Sequence, residues 1–187
     1  SYLRENNIAH ALAHPLFAVN DQLTPEIFEK LLLIFSTFEV NGSRDERQNN
    51  HLRNILNSLT PEKIDALANK YNIDPVGEQP WVKNLSCGSD DHSGLNIARM
   101  YADVEGATDL NSFFDGVFSG KAEPMGVPST PKTLAHNLYS IAYSYYQRQQ
   151  DLSQYIHVDD FLTFLDGRLS PDRSHKKTPG KMVKRFI

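Results

Sequence analysis

Residues 24–42 read Thr24-Pro-Glu-Ile-Phe-Glu-Lys-Leu-Leu-Leu-Ile-Phe-Ser-Thr-Phe-Glu-Val-Asn-Gly42. Thr24 followed by Pro25 and Glu26 is a helix start: a capping hydroxyl, a ring already set at helical φ, and an acid in the first turn. Ile27, Phe28, Leu31, Leu32 and Phe35 then recur at helical spacing. Residues 37–40 switch to a short β-type run, closed by the turn pair Asn41-Gly42. A helix handing over to a strand within so few residues sets the fold class as α/β. The flanks agree. Upstream, residues 8–14 (Ile-Ala-His-Ala-Leu-Ala-His) predict a strand stopped by Pro15. Downstream, residues 44–59 predict a helix with a Leu52, Ile55, Leu56, Leu59 stripe. Thr60-Pro61-Glu62 opens another, continued by Ile64, Leu67, Ala68 and Tyr71. Strands follow at 82–86 and 100–104, and a helix at 110–118. Residues 124–131 read as a proline-punctuated loop. Helices are expected at 132–149 and 155–169. Strand–helix alternation with short connections implies parallel strands.

A length of 187 residues, with 40% hydrophobic and 22% charged residues, suits one globular domain with a sizeable core. No run approaches the roughly 18 apolar residues of a membrane span, and the first twenty residues carry no secretory pattern. The single Cys87 excludes a disulfide framework and fits a reducing, cytoplasmic setting. After Pro171 six basic residues face one acid. That tail carries +5 against a total of −4, leaving −9 on the remainder. An acidic body argues against nucleic acid as a partner, and the tail reads as a solvated basic linker.

His14, Asp90 and His92 are the candidate metal ligands. Each follows an apolar strand, at the end where parallel α/β folds build their sites. Side chains two apart on a strand project together, so Asp90 and His92 pair while Asp91 points elsewhere. A carboxylate with imidazoles suits a divalent transition metal better than calcium. Gly88, just before them, permits a sharp turn or a close backbone approach. His10, four residues before His14, is expected to be a hydrogen-bonded core histidine, and Glu39 an internal hydrogen-bonding group. Cys87 is expected to be an inert thiol. His136 is read as a surface group. Tyr139, Tyr143, Tyr145, Tyr146, Phe161 and Phe164 are expected to pack the C-terminal helices together. His51, His157 and His175 show no ligand spacing.

Ala13-His14-Pro15, then Phe38-Glu-Val-Asn-Gly42, then Gly88-Ser-Asp-Asp-His-Ser-Gly94, in that order, resemble the second half of a PHP (polymerase and histidinol phosphatase) domain. With Leu134-Ala-His-Asn-Leu-Tyr139, they are similar to a bacterial set in which this domain precedes a group-1-type glycosyltransferase in one polypeptide. The resemblance covers roughly residues 1–147. It implies part of a distorted (β/α)7 barrel over residues 1–130, a helical C-terminal extension over 131–170 and the basic linker over 171–187. It implies a metal-dependent phosphoester hydrolase, with a phosphoester small molecule as substrate and zinc, manganese or iron as cofactor. The family's third-motif histidine falls on His14 and its closing Asp-x-His on Asp90 and His92, serving different metals. The family's opening His-x-His is absent from these residues, so the chain is expected to begin in mid-domain. Its isolated metal site is therefore expected to be incomplete, with the remaining ligands upstream of Ser1. A partial barrel would leave open sheet edges, covered by further chain or by a second copy. The alternative is a degenerate, non-catalytic domain that positions or regulates the attached glycosyltransferase. No residue is assigned a catalytic role beyond metal binding.

Overall fold

The computed structural model describes residues 2–6, 8–18, 22–150 and 160–169. His157, His175, the start of the helix expected from 155, and the basic linker over 171–187 lie outside the described residues. The chain is a mixed α/β protein. In order, its elements are α1 (Tyr2–Glu5), α2 (Pro25–Ile34), β1 (Thr37–Asn41), α3 (Glu46–Asn57), α4 (Pro61–Tyr71), β2 (Asn84–Gly88), β3 (Met100–Val104), α5 (Leu110–Phe118), β4 (Ala122–Gly126), α6 (Pro131–Gln149) and α7 (Asp160–Leu169).

Caps written in the sequence set the helix starts. The Thr24 hydroxyl accepts from the Ile27 amide, Thr60 from Lys63, and the Asp45 carboxylate from Gln48. Each satisfies an amide that the first helical turn leaves without a partner. In α4 the chain leaves the helix through Asn72 in the left-handed region, at φ 51°.

β1 and β2 pair in parallel, from Thr37 opposite Asn84 to Asn41 opposite Gly88. On the other side of β1, Leu12 forms a single parallel bridge to Phe38. Its amide donates to Thr37 O and its carbonyl accepts from Glu39 N, both at 2.9 Å. The strand expected over 8–14 thus shrinks to one residue. Residues 8–10 precede the start of β1 in register, and His10 turns its Nδ1 to the Ile8 carbonyl at 2.7 Å.

The 82–86 strand is shifted to Asn84–Gly88, while β3 and α5 match their expected bounds. Part of the segment expected as loop is β4, antiparallel to β3 with Ala102 opposite Pro124. All-parallel pairing therefore does not hold. A proline without an N–H is tolerated because this sheet has two strands, so each is an edge. Among the described residues no sheet closes into a barrel.

The period of two along β1 separates its faces. Phe38 packs with Leu32, Leu52 and Leu56 from α2 and α3, and Val40 is equally buried. Glu39 and Asn41 point to the opposite face. The chain divides into two compact units. The first comprises Ser1–Asp90 and Ile97–Lys132; the second joins Asp91–Asn96 to the chain from Thr133 onward.

Candidate functional site

In the first unit a hydrogen-bonded network lies at the C-terminal ends of the parallel strands. Asn41, 2% exposed, is its centre. Its Nδ2 donates to Glu39 Oε2 and to Asp90 Oδ2, each at 3.0 Å. Glu39 Oε2 also accepts from the His14 backbone amide at 2.8 Å. One amide group thus holds two carboxylates that would otherwise repel one another, and one of those carboxylates fixes the backbone of His14.

Asn41 is itself locked to α3. Asn49 Oδ1 accepts from Asn41 N at 3.1 Å and Asn49 Nδ2 donates to Asn41 O at 3.0 Å. The turn after β1 closes on the Asp90 segment: Gly42 N donates to Gly88 O at 2.8 Å and Ser43 Oγ to Asp90 O at 2.6 Å.

Two glycines permit this approach. A Cβ on Gly42 would lie 2.8 Å from Ser89 Cα and 2.9 Å from Gly88 O, which is too close for either to accept. A Cβ on Gly88 would press on Glu39 Oε1 at 3.0 Å. The close approach anticipated for Gly88 is therefore made toward the Glu39 carboxylate.

His14 (φ 31°) and Asp90 (φ 46°) are two of four non-glycine residues with positive φ among those described. A side chain in that region costs of order 1–3 kcal/mol and persists where surrounding structure imposes it. Of the other two, Asn72 is explained by its cap. His14 and Asp90 are held instead by the Glu39–Asn41 network and the Ser43 bond. Arg44 stacks its guanidinium on the Phe17 ring at 3.7 Å. It lines, with His14, Glu39 and Asn41, a cavity of about 20 Å³ beside the network, roughly the room for one water.

His92 belongs to the second unit, exposed on the loop Asp91–Asn96. Asp91, set aside in the sequence as pointing elsewhere, anchors that loop. Its Oδ1 accepts from Ser93 N at 3.0 Å and Ser93 Oγ at 2.6 Å, and its Oδ2 from Asn96 N at 2.8 Å. Burial pushes the Asp91 carboxyl upward, but the Ser93 hydroxyl and the Asn96, Ser93 and Gly94 amides outweigh it and hold its pKa below the ordinary value.

Of the three sequence-chosen ligands, His14 and Asp90 therefore meet in one network. The place of His92 beside them rests on the Asp-x-His spacing alone. Their donor types suit a divalent transition metal. Their number falls short, because among the described residues no three His, Cys, Asp or Glu side chains group as metal holders, and catalytic zinc takes three protein ligands.

Glu39 is the internal hydrogen-bonding group expected of it. His10 packs edge-on against Phe35 at 5.6 Å. Burial, then the Glu39 carboxylate, pushes the Cys87 thiol up to about 11, away from thiolate chemistry. His136 meets the Arg168 carbonyl at 2.9 Å and so ties α6 to α7. Of the six aromatic residues expected to pack α6 and α7 together, only Tyr143 is buried. The other five are exposed, because the contact is made largely by polar groups: Ser140 Oγ to Leu169 O, Tyr143 OH to Asp166 and His136 to Arg168 O.

Sequence reasoning passed over Asn41, read only as half of a turn pair. The available signal was Glu39-x-Asn41, two polar side chains on one face of a strand whose other face is apolar. Comparison with family models, with curated proteins and with solved structures returned no match.

Proposed function

We propose that this chain is part of a metal-dependent phosphoester hydrolase of the PHP type. It would contribute His14, Asp90 and His92 to a centre whose remaining ligands come from chain upstream of Ser1. The observation that carries the reading is the network just described. It brings His14 and Asp90, both in strained left-handed backbone, to the C-terminal ends of the two segments that flank β1 in parallel, where α/β folds build their sites.

Within that reading Asp90 is the anionic ligand and His14 and His92 are neutral imidazole ligands. Asn41 holds the Asp90 carboxylate from behind, the kind of outer contact that sets a ligand's angle and basicity, and Glu39 fixes the backbone of His14. The bound metals would acidify a water and neutralise phosphate charge. The substrate class is a small phosphoester, and the polypeptide would continue into a glycosyltransferase in a bacterial cytoplasm. The finer fold expectation, a portion of a distorted (β/α)7 barrel with a helical extension, belongs to this proposal. Parallel pairing of Leu12, β1 and β2 supports it.

The test is metal analysis and phosphate release on two polypeptides, these 187 residues and a longer one that includes the segment before Ser1. The short chain with manganese or zinc is expected to hydrolyse a generic phosphoester no faster than buffer. The longer one is expected to bind metal, and Asp90→Ala there should lower turnover at least about tenfold. Robust metal-dependent turnover by the short chain would refute the ligand assignment. Neither metal nor turnover in either polypeptide would replace it with the second reading, a metal-free domain that positions the glycosyltransferase.

A further inference from the structure

We infer that Asn41-Gly42 is a gated deamidation site, kept intact by the fold and converted, without return, when the turn after β1 opens. No metal enters this chemistry. Asn41-Gly42 is the only Asn-Gly pair in the 187 residues. In deamidation the backbone nitrogen of the following residue attacks the asparagine Cγ. The N–Cγ bond forms, the Cγ–Nδ2 bond breaks, and ammonia leaves with the proton from that nitrogen. Water then opens the cyclic imide at either carbonyl, which leaves aspartate or isoaspartate. A following glycine favours ring closure, because it has no Cβ to obstruct the attack and its backbone is the most adaptable.

The fold both requires this pair and restrains it. A Cβ on Gly42 would fall 2.8 Å from Ser89 Cα, so the close approach to the Asp90 segment keeps glycine at this position. Every group that the reaction uses is engaged. The nucleophile, Gly42 N, donates to Gly88 O at 2.8 Å. The leaving Nδ2 donates to Glu39 Oε2 and Asp90 Oδ2, and Asn41 Oδ1 accepts from Ser43 N at 2.9 Å. Asn49 pins the Asn41 amide and carbonyl, and with them the peptide that must rotate to bring Gly42 N onto Cγ. At 2% exposure Asn41 is also shut off from the water of the second step. Neither product restores the network. Aspartate places a third carboxylate against Glu39 and Asp90, where the amide had joined them. Isoaspartate lengthens the backbone by a methylene group and takes Asn41 and Gly42 out of register with Gly88.

The experiment follows the 187-residue chain by peptide mapping and mass spectrometry, with exchange of the Gly42 amide read by NMR. The chain unfolded in guanidinium chloride is expected to deamidate at Asn41 at least about tenfold faster than the folded chain. The ratio of those rates should match the exchange protection of the Gly42 amide within about threefold, since both report one opening. Asn49→Leu, which frees the Asn41 backbone, is expected to speed both processes about tenfold or more, and Asn50→Ala to leave both within about twofold. Where Asn49→Leu does not fold, guanidinium chloride below the unfolding transition of the unsubstituted chain supplies the comparison, and both rates should rise together. The deamidated fraction, separated by its added negative charge, should unfold at lower denaturant than the intact chain. Equal rates in the folded and unfolded chains would overturn the inference, as would a deamidation rate that stays constant while Gly42 exchange accelerates. An unchanged unfolding midpoint in the deamidated fraction would overturn its one-way character.

Discussion

Lys83 and Cys87, on the segment leading into the candidate site, carry opposite linkages to pH. Lys83 Nζ donates to the Leu32 and Phe35 carbonyls at 2.6 and 2.9 Å, closing the C-terminal end of α2. Burial pulls its pKa from 10.5 down to about 8. A neutral amine still has two protons for those carbonyls, so deprotonation relieves the buried charge and keeps the bonds. Below pH 8 both folded and unfolded chains hold the proton, and the penalty for the buried charge is fully present. Between about 8 and 10.5 the unfolded chain binds more protons, so stability rises with pH. Cys87 works the other way. Its folded pKa is raised from 9.0 to about 11, so stability falls across that window as the unfolded thiol ionises first. In a Cys87→Ala background, urea midpoints are therefore expected to climb from pH 7.5 to 9.5, and adding Lys83→Met should flatten that climb. A climb of the same size in the Lys83→Met protein would contradict the assignment.

At the scale of elements, α3 and β1 share the Phe38, Leu52 and Leu56 core, and one side chain supplies hydrogen bonds between them. Asn49, 5% exposed, satisfies both the amide and the carbonyl of Asn41. Replacing it with leucine preserves volume but strands two buried backbone groups, at about 1–3 kcal/mol for each group left unsatisfied. Asn49→Leu is expected to lower unfolding free energy by about 2–4 kcal/mol in urea titration. Asn50→Ala, one residue along on the exposed face, is expected to change it by under about 0.5 kcal/mol. Equal effects would mean the Asn41–Asn49 pair contributes nothing beyond helix propensity. Two helix starts were legible in the sequence because Thr24-Pro25 and Thr60-Pro61 satisfy their helices locally; the Asp45 cap of α3 was not read, and that helix was expected from residue 44. β4 was not, because Pro124 argues against a strand unless one knows that the strand lies at an edge. The strand expected at 8–14 failed for the converse reason: its apolar residues are right, but a ladder needs a neighbour in register, and only Leu12 has one.

For the whole molecule, the division between the two compact units falls between Asp90 and Asp91, inside the Asp-x-His motif. No helix among the described residues is long and apolar enough to cross a membrane. On α6, Leu134, Leu138, Ile141 and Tyr145 form a seam at heptad-like spacing, and all four are exposed, at 41–59%. Contiguous exposed apolar faces of this kind drive association, and the spacing is that of helix–helix seams. Light scattering on the 21.2 kDa chain is expected to show a mass that grows with concentration toward a dimer, and Leu138→Glu should return it to the monomer. A constant monomer mass across concentrations would disprove self-association through this seam.

By itself the sequence determined what is local. Caps and the 3.6 period placed most helices, alternation separated Phe38 and Val40 from Glu39 and Asn41, and the order of strands and helices made the chain α/β. It also offered His14, Asp90 and His92 as candidates, from apolar runs and the Gly88 before a charged pair, although the strand expected to end at His14 keeps only Leu12. Only the tertiary structure decided what depends on distant residues meeting. The Asn41 amide joins Glu39 to Asp90 across a sequence separation no pattern reports. Asp91 turns out to be the scaffold of its loop rather than a bystander. Asn137, in the middle of α6, finds its partners on a loop more than forty residues away. Local signals follow from one residue's own backbone preferences. Hydrogen-bond partners are set by which elements pack together, and that is decided only when the whole chain folds.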